Sequence, residues 1–133
     1  IAFVLGQAFG LLGAYKDCGR CTMVLSAIGT DVFEAIIGVF WAPIRNKHAD
    51  LATVVESHLA ALEAKVSSLE AIYAQGDGPY LLGQAPCVAD YFAFQLTCIL
   101  GEAYDVQMPH SLQALHTAMM GRQRIRDYLG CRT

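Results

Sequence analysis

Five cysteines, four histidines and a dozen carboxylates are the residues of this chain that could do chemistry. Cys18-Gly-Arg-Cys21 has the C-x-x-C spacing of a redox dithiol or of half a zinc site. A redox pair needs a strand-to-helix setting, and a zinc site needs a second ligand pair. Neither is legible nearby, so the plainer reading is two incidental thiols at a helix start. Cys87 and Cys98 read as buried, inert thiols. His48, His58, His110 and His116 form no Glu-x-x-His or His-x-x-x-His pattern, so a haem or di-metal bundle is set aside and no metal ligand is assigned. Arg122, Arg124 and Arg126 read as a solvated face with Asp127 as a local partner.

The elements that must position these residues read as helices. Positions 1–10 look like a helix end, stopped by Gly10-Leu11-Leu12-Gly13. Helical spacing runs from about Cys18 to Trp41, with Pro43 marking an end or a kink. From about Ala49 to Ala74, Leu51, Val55, His58, Leu62, Val66, Leu69 and Tyr73 fall on one stripe, with Glu56, Glu63, Lys65 and Glu70 mostly off it. Gly76-Asp77-Gly78-Pro79 breaks the chain. The segment Val88–Tyr104 is apolar nearly all round and belongs at the centre of a bundle. Two shorter helices follow, about His110–Met120 and Arg122–Leu129, the last capped by Gly130. Five or six helices and no sheet predict an all-α helical bundle.

Composition narrows the function classes. Of 133 residues, 55% are hydrophobic and 16% charged, which is a core-forming chain and not a disordered one. The net charge is −3 and no basic run exists, so no nucleic-acid partner is expected. The uncharged, apolar stretches 1–15, 35–44 and 91–101 fall short of the roughly 20 residues a membrane span needs. The start lacks a Met and any signal-peptide pattern, and reads as a cut through a larger protein. An odd cysteine count without scaffold spacing favours a reducing, cytoplasmic setting.

One stretch carries a start signal of its own. In Tyr80-Leu-Leu-Gly-Gln-Ala-Pro-Cys-Val-Ala-Asp-Tyr91, Asp90 would stand at the third position of the apolar helix, with Cys87 as its N-cap. Asp90 could then bond back to the Cys87 amide and complement the helix dipole. A thiol is a poor acceptor, so the reciprocal half of this capping box should be weak. Asp90 and Cys87 are therefore read as structural.

This stretch is similar to the "Tyr-Leu-Val-Gly-Asp, two residues, Ser/Thr, any, Ala-Asp" motif of the glutathione transferase superfamily. Positions 1–13 resemble the last helix of that family's thioredoxin-like domain and its glycine link. Arg122–Leu129 resembles its final helix. The resemblance implies that 1–12 is the end of a thioredoxin-like domain plus linker, and that 13–133 is the helical C-terminal domain. It departs at Cys87, where the family has Ser or Thr.

The resemblance also implies a division of labour. The thioredoxin-like domain holds glutathione, the co-substrate, and handles its thiolate. The helical domain supplies the pocket for a small hydrophobic electrophile. No catalytic residue is then assigned within these positions. Phe33, Ile37, Phe40 and Trp41 match the pocket wall, or are ordinary core. Asp31 matches the acid that reaches the glutathione amine across a homodimer interface, or is a solvated helix charge. The rival reading is a non-catalytic interaction or assembly module that binds protein partners, as in the translation machinery.

Overall fold

The computed structural model describes residues 1–45, 50–104 and 107–131; His48 lies outside them. Among the described residues seven α-helices form: α1 (Ala2–Ala8), α2 (Cys18–Ser26), α3 (Phe33–Arg45), α4 (Leu51–Tyr73), α5 (Val88–Ala103), α6 (His110–Met120) and α7 (Gln123–Gly130). Among the described residues there is no strand, only a bridge between Tyr80 and Gly83 inside a tight turn. The fold is the all-α bundle that the periodicity implied.

A π-helical segment, Ala27–Val32, joins α2 to α3 without a break. The core positions explain it. Val24, Ile28, Val32 and Ile36 are all buried, at successive steps of four. In a regular helix each such step overshoots a full turn by about 40°. A wider π-turn absorbs the drift and keeps the four residues on one face. The helix runs two residues past Pro43, whose missing amide removes one hydrogen bond near the helix end. The joined helix Cys18–Ala42 is long enough, with a hydropathy of 1.8, to cross a membrane by length and composition. Reading only uncharged stretches missed this. Its buried side, 28% of the most apolar window, packs on α4 and α5.

Asp50 starts α4 by accepting hydrogen bonds from the Ala52 amide (3.1 Å) and the Thr53 hydroxyl (2.9 Å). Leu62, Val66, Leu69 and Tyr73 of its stripe are buried. Glu70, off that stripe, is not merely solvated. Its two carboxylate oxygens accept from the amides of Ser111 (2.8 Å) and Leu112 (3.0 Å), at the start of α6. These are amides that a helix cannot satisfy from within. Arg20 donates to the Ile72 carbonyl at 2.7 Å, tying α2 to the end of α4. One expectation fails: Gly130 is the last residue of α7 and Cys131 its right-handed C-cap. Gly130 is not among the glycines with positive φ, because the chain continues helically to Cys131 and needs no left-handed residue there.

Candidate functional site

The start of α5 is built around one carboxylate. Asp90 is fully buried and accepts three hydrogen bonds: from the Cys87 amide (2.7 Å), the Leu81 amide (2.9 Å) and the Tyr73 hydroxyl (3.0 Å). Burial, and then the Asp90 carboxylate beside it, push the Tyr73 phenol far up, so it stays protonated and donates. Asp90 thereby joins the end of α4, the Tyr80–Gly83 turn and the first turn of α5. Cys87 Sγ faces the Asp90 amide and closes the box in outline. That amide, however, bonds the Cys87 carbonyl at 3.1 Å.

The same corner receives the N-terminal segment. The Val88 amide donates to the Leu11 carbonyl at 2.8 Å. Gly6 lies so close that an added Cβ would stand 2.9 Å from both Leu12 Cδ2 and Val88 Cγ1. Val4 and Leu5 of α1, and Phe9 just past its end, remain exposed.

Cys18 and Cys21 turn to different partners. Cys18 Sγ faces the Ala14 carbonyl at 3.7 Å, while Cys21 Sγ lies 3.8 Å from Cys87 Sγ. Cys21 and Cys87 are both buried. Burial, the nearby Asp90 carboxylate and Cys21 hold the Cys87 thiol far above its ordinary pKa, which makes it a poor nucleophile. Among the described residues no three of His, Cys, Asp or Glu cluster as metal ligands.

Beyond this corner, the π-turn faces α5 across an apolar cavity of about 250 Å³. Ile28, Gly29, Phe33 and Ile36 line it from the long helix; Phe92, Gln95, Leu96 and Ile99 line it from α5. Gly29 adds space, because a Cβ there would meet nothing within 4 Å. A cavity near 150 Å³ accepts benzene, so this one has room for a substituted ring.

The four expected wall residues are placed unequally. Phe33, 52% exposed, lines the cavity. Ile37 is half-buried and does not line it. Phe40 (61% exposed) and Trp41 (39%) lie further along α3, edge to face with ring centroids 5.4 Å apart. Asp31 is exposed on the π-turn; its Oδ1 lies 3.1 Å from the Thr30 hydroxyl, which donates to the Ser26 carbonyl at 2.8 Å. Residue-by-residue reading missed Ile28, Gly29, Ile36 and the α5 wall, which only the pairing of the two helices brings together.

The described residues form a helical bundle whose central helix is anchored by a buried aspartate. The chain belongs to the glutathione S-transferase C-terminal domain family, whose model matches residues 30–132. Comparison with curated proteins and with solved structures gave no match.

Proposed function

We propose that this domain holds a small hydrophobic electrophile for attack by glutathione, in concert with a thioredoxin-like domain. The observation that carries the reading is the apolar cavity between the π-turn and α5. Its walls offer contact area and almost no polar groups, which suits an aryl or alkyl body and not a charged one. The chemistry needed is thiolate attack on that electrophile. The activating group would belong to the glutathione-holding domain, since the buried, proton-retaining Cys87 thiol is unsuited to it. Asp31, on the exposed rim of the same π-turn, is placed in this reading as the acid toward the glutathione amine.

The test is capture of the full-length protein on immobilised glutathione, with turnover of a generic aryl halide. Capture and turnover support the reading, and residues 1–133 alone should show no turnover. Failure of the full-length protein to bind glutathione would overturn it. A second reading, a protein-binding module, is favoured by one observation. Phe40, Trp41 and Ile44 are exposed together along α3, and contiguous apolar surface marks contact sites.

A further inference from the structure

A second cavity, of about 590 Å³, opens beside the first, between α5, α6 and α7. It falls in the usual size range of small-molecule sites, about 300–1,000 Å³. Ile99, Met120 and Leu129 give it an apolar floor, while Gln95, Glu102 and His116 supply polar groups. Among the described residues that line it there is no Lys or Arg.

His116 is held in place by its neighbours. The Thr97 hydroxyl donates its proton to the Phe94 carbonyl at 2.7 Å. Thr97 Oγ1 lies 2.8 Å from His116 Nδ1 and, with its own proton on the Phe94 carbonyl, can accept from the ring tautomer that carries its hydrogen on Nδ1. In the neutral ring Nε2 keeps its lone pair. The ring also packs against Phe94, with centroids 5.2 Å apart, which fixes its plane. With Nδ1 engaged by the buried Thr97, Nε2 is the ring atom left for a guest.

The cavity therefore presents an imidazole acceptor, a carboxylate and an apolar floor. We propose that it is a binding site for a small organic amine. The ammonium group would donate to His116 Nε2 and Glu102, and the apolar body would lie on Ile99, Met120 and Leu129. An anion would meet the Glu102 charge, and no described lining residue carries a positive charge to offset it. This site adjoins the electrophile cavity, with Gln95 and Ile99 as the shared wall. It needs no glutathione chemistry.

The test is an NMR titration of the intact protein with phenethylamine, and with hydrocinnamate as the anionic counterpart. The expected result is saturable shifts at Ile99, His116 and Met120 for the amine, and none for the acid. Two variants separate site from fold. Glu102→Gln keeps the shape and removes the charge. His116→Asn keeps an N–H toward Thr97 and removes Nε2. Each should weaken amine binding about tenfold, the loss expected for one charge-assisted hydrogen bond. Absence of saturable binding, equal binding of hydrocinnamate, or unchanged affinity in both variants would overturn the proposal.

Discussion

Replacing Asp90 by Asn tests how the domain is held together, because it changes one atom at its most connected point. The carboxylate accepts from Cys87 N, Leu81 N and Tyr73 Oη, at 2.7, 2.9 and 3.0 Å. The best placement of the amide keeps its oxygen at Oδ1, where Leu81 and Tyr73 still donate. Its NH2 then faces the Cys87 amide, donor against donor, in a site with no solvent exposure. One buried amide left unsatisfied costs about 1–3 kcal/mol. Turning two charge-assisted hydrogen bonds into neutral ones adds roughly 1–2 kcal/mol. Relief from burying a charge offsets part of this. The net loss should be about 3 kcal/mol, against a typical total of about 5–15 kcal/mol. Thermal unfolding followed by circular dichroism should fall by roughly 10 °C. Tyr73→Phe removes one donor and should cost about 1 kcal/mol. Asp90→Asn within about 0.5 kcal/mol of wild type, the range of a neutral surface change, would refute the reasoning.

Other outcomes follow from the same contacts. Cys87→Ser gives the Asp90 amide a hydroxyl acceptor and should stabilise the domain by about 1 kcal/mol in urea unfolding; a loss would show that the thiol packing matters more than the cap. Burial raises the Glu70 pKa, but hydrogen bonds from the Ser111 side chain and from the Ser111 and Leu112 amides, with His110 nearby, bring it below its ordinary 4.5. A lowered folded pKa means this stabilisation is complete above that ordinary value and fades as pH falls through the folded one. Glu70→Gln should therefore flatten the acid side of the stability–pH curve, and an unchanged acid limb would contradict the assignment. Gly6→Ala brings a Cβ to 2.9 Å from Leu12 and Val88. It should cost about 1–3 kcal/mol by overpacking and raise protease cleavage within α1; unaltered cleavage would mean that α1 is not seated there.

The fold was legible where period and breakers agreed. The α4 stripe of Leu62, Val66, Leu69 and Tyr73 and the breaker after it set α4 in place. The spacing of Cys87 and Asp90 located the start of α5 to the residue. The partners of Asp90 were not legible, because Leu81 offers a backbone amide and Tyr73 comes from another helix. The cavity was missed for a similar reason: half its wall is α5, and periodicity says nothing about which helices pair. The π-turn did leave a trace. Apolar pairs at 23–24 and 27–28 are followed by pairs at 32–33 and 36–37, one residue late. Gly29-Thr30-Asp31 fills the gap. That extra residue is the signal that the helix widens where the cavity forms. Glu70 shows the converse error: a residue off the core stripe can still serve another helix's amides.

Filling the cavity is the most direct test of the central claim. Gly29→Leu places a side chain where a Cβ meets nothing within 4 Å, and leucine favours a helix over glycine by roughly 0.5–1 kcal/mol, so the fold should hold. Steady-state kinetics of the full-length protein should show the KM for a generic aryl halide rising about tenfold, the scale of one displaced apolar group. The KM for glutathione should not change. An aryl-halide KM equal to that of wild type, in a variant of undiminished thermal stability, would contradict the account.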